Sequence, residues 1–401
     1  MNKTRLIAIL ALSACVIAGC SQTAEHQPNK PDRTQAQVKQ PAPPSASPKV
    51  VKAAIDTIQG HINQLHPVDD SRLIIGADRL YLFDTKSREM VADTERQPFH
   101  MERYWSTSDG YIAFGRRALN SESNDTKGES MMMIDEKMKY DIIFYDRSLQ
   151  PLKTFDFGSL LGEDEEIISS SLVSFTKDGR TMIFATQSGL YRYQFDTKEK
   201  VRLIDLTAED RSPHAGLSSF DQLAFTNDDQ AIAFKALSFD LDDKDNPNAV
   251  DTCGMLGADG KPLSNKTFDE FSCKEMTAFN NKLLFAEDIV TAKGTVMVMD
   301  VPSGQTTFHQ LTTAKESGVV TGSDKGEYFA TSLGEEKGWT IRIYSTATGE
   351  LVAEQFVDSG GEELYMANNP LVQVADETRT CVIVLGAKQN EIAPKLIVSQ
   401  F

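Results

Sequence analysis

Apolar residues along most of this chain fall into short runs that turn-forming residues separate. The clearest unit has apolar runs at 172–175, 181–185, 190–195 and 201–204. A Thr-Lys-Asp-Gly turn at 176–179 separates the first two runs, and an Asp-led turn at 196–199 separates the last two. Short apolar runs bounded by Gly and Asp are typical of strands joined by tight turns. The unit therefore predicts a four-stranded antiparallel sheet.

The same order of strands and turns recurs from residue 73 to residue 401. Copies of the unit fall within 73–91, 104–146, 221–234, 276–304, 319–349 and 371–401. One such sheet cannot bury both faces by itself, whereas similar sheets packed around an axis cover one another and leave few open edges. Seven units over roughly 335 residues have about 48 residues each, slightly more than a typical four-stranded blade. The repeat therefore predicts an all-β propeller with seven blades, although six or eight blades also fit.

A different spacing precedes the repeat. Apolar residues at 51, 54, 55, 58, 62 and 65 recur at intervals of one to four residues. Most of these intervals match one face of an amphipathic helix. The pattern predicts a short helix over about 50–65, leading into a propeller domain that covers 50–401.

The first 20 residues have the three parts of an export signal. A short basic segment is followed by the apolar run 6–18, which is shorter than the about 20 residues that a bilayer crossing takes. The run ends in Val-Ile-Ala-Gly-Cys at 16–20, which resembles the lipobox of bacterial lipoproteins. The resemblance implies cleavage of residues 1–19 and acyl chains on Cys20 that anchor the mature protein to a membrane. The alternative is an ordinary secretory signal that contains a cysteine by chance.

Residues 20–49 connect the predicted lipid-bearing cysteine to the rest of the chain. The segment is rich in Gln, Pro, Ser, Thr and Lys and nearly devoid of aliphatic residues. It cannot bury a core, so we expect a disordered tether. The expected location is the cell membrane or the outer membrane, with the propeller facing the periplasm or the cell exterior. Gram-negative and Gram-positive envelopes both fit.

Resemblance to known propellers is diffuse. An apolar strand followed by a short polar turn and Gly, as at 344–349, resembles repeats of WD40-like and TolB-like bacterial propellers. The likeness extends over most of 70–401, although no blade contains the Gly-His or Trp-Asp pair of WD40 repeats. In layout, the chain also resembles the outer-membrane assembly lipoprotein that carries a propeller on a lipid anchor. These resemblances imply a fold, and a fold does not fix a function.

The net charge argues about the kind of partner, and the cysteines argue about a disulfide. The net charge of −17 repels phosphate backbones, which argues against nucleic acid as a partner. Disulfides are permitted outside the cytoplasm, and a bridge between Cys253 and Cys273 would add about 3 kcal/mol of stability. We therefore predict that these two cysteines pair. Cys381 lies in an apolar run and is expected to be a buried strand residue.

Long insertions fall at one kind of connection in the predicted repeat. They lie between second and third strands, at 115–140, 237–250, 286–294 and 334–339. Elaborated loops on one face of a propeller mark a working surface; the alternative is that exposed loops tolerate insertions anywhere. The first insertion contains Met131, Met132 and Met133. A methionine cluster on a loop is an adaptable apolar surface, so it favours partner binding, or else it folds back onto a blade.

The second insertion contains a run of carboxylates. Its aspartates are Asp240, Asp242, Asp243 and Asp245. Calcium takes oxygen ligands, so the run invites a calcium site. The fifth position of the run is Lys244 and no Gly follows, so the EF-hand pattern is not met. A solvated acidic loop is the alternative, and no other cofactor is predicted.

Familiar catalytic motifs are missing from the sequence. It contains no His-Glu-x-x-His, no Gly-x-Ser-x-Gly and no phosphate-binding loop. The favoured function is therefore binding of a protein or peptide at the cell envelope, in a scaffold, assembly or sensing role without catalysis. Two alternatives stay open. One is an envelope hydrolase or lyase that uses Asp, Glu or His facing the channel, and the other is a carbohydrate- or calcium-binding surface protein.

Overall fold

The structure of this chain is a computed structural model. It describes residues 49–50, 58, 61–96, 100–118, 138–208, 216–226, 229–239, 249–263, 273–279, 281–287, 293–316, 320–386 and 392–401. Within these residues, no helix has the length and apolar character that a membrane crossing requires.

Seven antiparallel sheets form the blades of a propeller, numbered here in chain order. Blade 1 contains β2 (Gln64–Pro67), β3 (Arg72–Gly76), β4 (Leu80–Asp84) and β5 (Glu89–Asp93). Blade 2 contains β6 (His100–Ser106), β7 (Gly110–Ala118), β8 (Met138–Asp146) and β9 (Pro151–Asp156). Blade 3 contains β10 (Val173–Phe175), β11 (Thr181–Thr186), β12 (Gly189–Gln194) and β13 (Glu199–Asp205). The described part of blade 4 contains β14 (Leu217–Thr226), β15 (Ala231–Phe239) and β16 (Ala249–Gly257).

The remaining blades continue the same order. Blade 5 contains β17 (Cys273–Phe279), β18 (Lys282–Glu287), β19 (Thr295–Asp300) and β20 (Thr306–Gln310). Blade 6 contains β21 (Val320–Gly322), β22 (Tyr328–Glu335), β23 (Gly338–Ser345) and β24 (Leu351–Asp358). Blade 7 contains β25 (Leu371–Ala375), β26 (Thr380–Leu385), β27 (Lys395–Gln400) and β1 (Lys49–Val50). Short 3-10 helices cover Phe157–Leu160, Ser170–Leu172, Ala314–Glu316 and Glu363–Tyr365.

Each blade buries its middle strands against both neighbouring blades. In blade 3, β11 and β12 are buried at most positions, whereas the last strand of blade 1, β5, has no buried residue. One apolar cluster joins Phe114 of blade 2, Phe184 of blade 3 and Leu223 of blade 4. Burial on both faces explains why the middle strands are nearly continuous apolar runs. The prediction of a seven-bladed propeller built from four-stranded sheets is confirmed.

The two ends of the described chain meet in blade 7. β1 is the outermost strand of this blade and pairs antiparallel with β27, where Lys49 lies opposite Val398 and Val50 opposite Ile397. Closing the ring with strands from both ends removes the open sheet edge that a linear array of blades would leave.

The predicted helix over 50–65 is wrong at both ends. Residue 50 lies in β1 and residues 64–65 begin β2, while 51–57 and 59–60 lie outside the described residues. The buried side chains of Ile58 and Ile62 pack in a cluster with residues of β3, β26 and β27. Packing between blades 7 and 1 thus uses two of the apolar residues whose spacing suggested a helix.

The two faces of the propeller carry different connections. Turns between first and second strands, and between third and fourth strands, lie on one face, here called the turn face. Connections between second and third strands and the loops that join successive blades lie on the other, here called the loop face. A turn on the turn face ends at Gly349, whose φ of 71° suits glycine. The same position lies against the ring of His309, which a side chain would strike.

The insertion predicted at 334–339 is wrong. The other three predicted insertions join second and third strands across 119–137, 240–248 and 288–294, as the strand bounds show. At 334–339, however, β22 and β23 pair as far as Glu335 and Gly338, which leaves a turn of only 336–337. The residues that suggested a loop are the end of a long hairpin, because cross-strand pairing continues through them.

Candidate functional site

Most of the site residues predicted from the sequence lie outside the described part of the chain. They are Cys20, Met131, Met132, Met133, Asp240, Asp242, Asp243 and Asp245, and their roles stay predictions. Cys253 is buried in β16, and its sulfur is not a free thiol. The side chain of Cys273 is also outside the described set, so its pairing with Cys253 stays a prediction. Cys381 is a buried free thiol in β26, and burial raises the pKa of Cys381 to about 12.

Two long hairpins extend on the loop face, one on each side of blade 3. In blade 2, β7 and β8 are nine residues each and pair out to Ala118 and Met138. In blade 4, β15 and β16 are also nine residues each and pair out to Phe239 and Ala249. The corresponding strands of blade 3, β11 and β12, have six residues each. On the loop face, the hairpins of blades 2 and 4 therefore extend further than that of blade 3, and the surface of blade 3 lies in a recess between them.

The loop at 157–172 joins blades 2 and 3 and forms part of this recess. Glu165 holds the loop against blade 3 by accepting three hydrogen bonds. The donors are Gly162 N at 2.9 Å, Thr186 Oγ1 at 2.8 Å and Tyr191 OH at 2.8 Å. Burial raises the pKa of Glu165, but the hydrogen bonds outweigh it and lower the pKa to about 2. The same loop presents Ile168, which is 66% exposed.

Glu316 has the equivalent role on the loop that joins blades 5 and 6. Its donors are Thr313 N at 2.7 Å, Thr331 Oγ1 at 2.7 Å and Tyr344 OH at 3.1 Å. Arg342 Nη1 lies 3.3 Å from Glu316 Oε2, and the Glu316 side chain is 0% exposed. A buried carboxylate needs such partners because removing it from water is otherwise costly. Both glutamates are therefore structural acids that fix joining loops.

Polar side chains of the innermost strands bond to the backbone of the next blade. The bonds are Gln64 Nε2 to Tyr104 O (3.2 Å), Tyr104 N to Gln64 Oε1 (3.0 Å), Ser106 N to His66 Nε2 (3.1 Å), Phe225 N to Ser174 Oγ (3.1 Å), Gln222 Nε2 to Met276 O (2.6 Å) and Thr277 Oγ1 to Val320 O (3.4 Å). Each innermost strand has one edge without a strand partner, and its N–H and C=O groups need other partners. These side chains supply them and link the blades around the channel.

Arg103 differs from these residues because its hydrogen bond to a described residue leaves most of its donors without a partner among the described residues. Its guanidinium donates to Ser170 O at 3.3 Å and lies 5.4 Å from the centre of the Trp105 ring. No ion pair joins it to a carboxylate among the described residues. Burial lowers the pKa of Arg103 to about 10, so Arg103 stays charged at neutral pH. Burial and then the charge of Arg103 lower the pKa of His66 to about 4, so His66 is neutral there.

A separate group of acids connects blades 6, 7 and 1 on the turn face. Asp376 accepts from Ser323 Oγ at 2.7 Å and from Lys325 N at 2.5 Å, and Asp376 N donates to Asp324 Oδ1 at 2.8 Å. Burial and then the neighbouring Asp376 carboxyl raise the pKa of Asp324 to about 6. Lys325 Nζ lies 3.1 Å from Asp70 Oδ1 of blade 1. These contacts link the turn of blade 6 to the turns of blades 7 and 1.

The acids and polar side chains described above hold loops and neighbouring blades together through hydrogen bonds and ion pairs. In the part of the chain that the structure describes, no three His, Cys, Asp or Glu side chains are arranged to hold a metal ion. His309 is also engaged, with Nε2 2.8 Å from Thr346 O. Arg103 and the surface above blade 3 are the features that another molecule could contact.

Sequence reasoning missed Arg103, Glu165, Glu316 and the Asp324–Asp376 pair. A partial signal exists, because Phe-Ala-Thr occurs at both 184–186 and 329–331. The glutamate that each threonine contacts lies 21 residues earlier in one case and 15 in the other. With no fixed spacing, the acid cannot be assigned from the motif alone.

Comparisons with known proteins identify a fold and no family. No protein family matches the sequence, and no curated protein is significantly similar to it. The structure is similar to the crystal structure of the β-propeller domain of Cps50 (Swd1) from Myceliophteria thermophila, with a TM-score of 0.56 and 10% sequence identity over 88% of this chain and 100% of that chain. The fold is a seven-bladed β-propeller. Because 1033 solved chains match at a significant level, the likeness does not determine a function.

Proposed function

We propose that this protein is a membrane-anchored envelope lipoprotein whose propeller binds a protein or peptide partner without catalysis. The observation that carries the proposal is the loop face around blade 3. Two hairpins with nine-residue strands flank it, and the exposed Ile168 stands between them on a joining loop that Glu165 holds in place. Loops on a rigid scaffold are where binding residues concentrate, and an exposed aliphatic side chain there suits contact with another protein.

The direction of β1 supports an orientation in which the lipid anchor lies on the side of the turn face. Lys49 lies opposite Val398 and Val50 opposite Ile397, so β1 begins nearer the turn-face end of β27. The predicted tether at 20–49 is one residue too long, because Lys49 lies in β1, and we expect the rest of it to reach the propeller from the turn face. A lipid on Cys20 would then leave the loop face free for a partner.

The bonds of His66 and Asp376 favour binding over the enzyme alternative. A general acid or base must reach the proton it transfers. His66 accepts a hydrogen bond from Ser106 N, and Asp376 accepts from Ser323 Oγ and Lys325 N. These groups hold blades together. The carbohydrate- or calcium-binding alternative depends on Asp240 and its neighbours, which lie outside the described residues.

Anchoring is tested by Cys20→Ser, with Cys15→Ser of the same leader as the matched control. We expect the wild-type protein and the control to fractionate with membranes and to show a lipid mass on the N-terminal peptide by mass spectrometry. The Cys20→Ser protein should lose that mass and leave the membrane fraction. A wild-type N-terminal peptide without acyl chains would contradict the anchor.

Partner binding is tested by placing a photo-crosslinking amino acid on opposite faces of one blade. Ile168 lies on the loop face, and Asp196, whose side chain is 71% exposed, lies on the turn face. We expect crosslinking in intact cells to yield a discrete product from position 168 and none from position 196. Equal products from both positions, or none from 168, would contradict binding through the loop face.

A further inference from the structure

Arg103 lies where the innermost elements of blades 2 and 3 meet at the loop-face end of the channel. It belongs to β6, the innermost strand of blade 2, and donates to Ser170 O at 3.3 Å. Ser170 begins the short 3-10 helix that leads directly into β10, the innermost strand of blade 3. Because joining loops lie on the loop face, the guanidinium stands beside the channel opening on that face.

The bonds of Arg103 are incomplete in comparison with those of Arg342. Arg342 has Glu316 Oε2 at 3.3 Å and Glu354 Oε2 at 2.6 Å, so its charge is matched within the protein. Arg103 has one carbonyl and the face of Trp105, and no carboxylate is paired with it among the described residues. Arg103 is half-buried, so its charged group is still accessible, and a partly desolvated guanidinium normally gains an ionic partner. Arg103 therefore has the donors and the charge to bind an anion.

The surroundings of Arg103 fix its position. Trp105 packs edge-on against Phe175 of blade 3 with ring centres 4.7 Å apart, and the guanidinium lies over the same indole. The Ser170 hydroxyl, beside the carbonyl that Arg103 contacts, forms no hydrogen bond with the described residues. A planar fork and a nearby hydroxyl suit the two oxygens of a carboxylate.

We propose that Arg103 and the Ser170 hydroxyl bind a carboxylate of an acidic peptide segment at the loop-face end of the channel. This inference rests on the proposed function, because it names the chemistry of the partner that the loop face takes. The net charge of −17 opposes an acidic ligand at long range, but that repulsion is screened beyond about 8 Å at physiological salt. At contact, the attraction between the Arg103 guanidinium and the ligand's carboxylate governs the interaction.

The test measures binding of two fluorescein-labelled hexapeptides, one of glutamate and one of glutamine, to the full-length protein by fluorescence anisotropy. We expect the glutamate peptide to bind more tightly. Arg103→Met should weaken this binding by about tenfold or more, since the variant lacks the charged fork. Arg103→Lys keeps the charge but not the fork, so its loss should be smaller.

Arg192→Met is the matched control. Arg192 also donates to a carbonyl at 3.3 Å, that of Ala258, but it lies on the third strand of blade 3 rather than beside the channel. We expect its peptide affinity to equal that of the wild-type protein. Comparing thermal unfolding of the Arg103 and Arg192 variants separates loss of the site from loss of the fold.

Three results would overturn the inference. They are equal binding of the two peptides, equal loss in the Arg103 and Arg192 variants, and competition by sodium acetate or phosphate so strong that the peptide adds no affinity. The last result would assign the site to a free small anion. If the crosslink from position 168 persists while glutamate-peptide binding is independent of Arg103, the proposed function survives and this inference fails. If instead glutamate-peptide binding depends on Arg103 but position 168 gives no crosslink, the anion site has no cellular partner and the proposed function is rejected.

Discussion

Blades 3 and 6 use the same local sequence to bury a glutamate, yet they bury it to different depths. Each has Phe-Ala-Thr on its second strand, at 184–186 and 329–331, with a tyrosine of the third strand opposite the phenylalanine. In both blades, the threonine and tyrosine hydroxyls donate to the glutamate of the joining loop. The Glu165 side chain is 11% exposed, whereas that of Glu316 is 0% exposed.

Hairpin length accounts for this difference. In blade 3 the second strand ends at Thr186, opposite Gly189, so the hairpin adds little cover beyond the threonine. In blade 6 the second strand continues to Glu335, and Arg342 lies opposite Thr331. The longer hairpin removes Glu316 from water and also supplies its counter-charge. One motif thus supports either a mostly buried acid with a lysine 3.8 Å away or a fully buried acid paired with an arginine, depending on the strands beyond it.

The largest expected effect is that of Glu316→Gln. This change leaves the mostly buried Arg342 guanidinium without the fully buried one of its two carboxylates, so we expect a loss of about 3 kcal/mol in the free energy of unfolding. Urea denaturation followed by circular dichroism measures it. The exposed Glu336, in the turn of the same hairpin, is the control, and Glu336→Gln should change stability by less than about 0.5 kcal/mol. Equal losses of stability at Glu316 and Glu336 would contradict the inference that burial and ion pairing set Glu316 apart.

Glu165→Gln should cost less, about 1–2 kcal/mol at pH 7, because this acid is partly open and has no arginine partner. The folded pKa of Glu165, about 2, lies below the unfolded value of about 4.3. Its ionised form therefore stabilises the fold above that unfolded value, and the contribution is lost as the pH falls toward the folded pKa.

The measurement is the difference in unfolding free energy between the wild-type protein and Glu165→Gln at pH 7 and at pH 3. This difference should shrink at pH 3, because Glu165 is then mostly protonated in the unfolded wild-type protein but still ionised in the folded one, whereas the Gln variant has no carboxyl at this position. Glu166→Gln, at the exposed neighbouring position, should show no such trend. A difference that is the same at both pH values would mean that hydrogen bonding to Glu165 does not depend on its charge.

The smallest expected effect is that of Asp324→Asn, which has the opposite sign of pH dependence. The folded pKa of Asp324 is raised to about 6, so the stabilising protonated form is present below the unfolded value and is lost as the pH rises through about 6. Asparagine imitates the neutral acid and keeps an oxygen for Asp376 N. We expect the variant to equal the wild-type protein near pH 4 and to be more stable by less than about 1 kcal/mol at pH 7.

Thermal denaturation of both proteins across this pH range checks the prediction, with Asp196→Asn as an exposed control on the same face. A variant that is less stable than the wild-type protein at pH 7 would show that the ionised Asp324 carboxylate supports the junction between blades 6 and 7. That result would contradict the prediction that the protonated form of Asp324 is the stabilising one.

Much of the architecture was predictable because blades repeat short-range patterns. Turn residues such as Gly179, Gly304 and Gly349 have positive φ in the structure, as tight turns require. The repeat led to the correct seven blades. The errors at 50–65 and 334–339 arose where a residue's neighbours in space, rather than in sequence, decide its conformation. There, apolar spacing and Gly-rich composition are shared by helices, connections and hairpins.

The sequence by itself determined the strands, their turns and the repeat, because each of these depends on residues within a few positions of one another. It also specified the resemblance of residues 16–20 to a lipobox, which needs no tertiary context. Only the tertiary structure decided that Glu316 meets Arg342, that Asp324 lies beside Asp376, and that Arg103 stands by the channel without a paired carboxylate among the described residues. The physical reason is that charge interactions depend on distance and burial, and the packing of one blade against the next sets both.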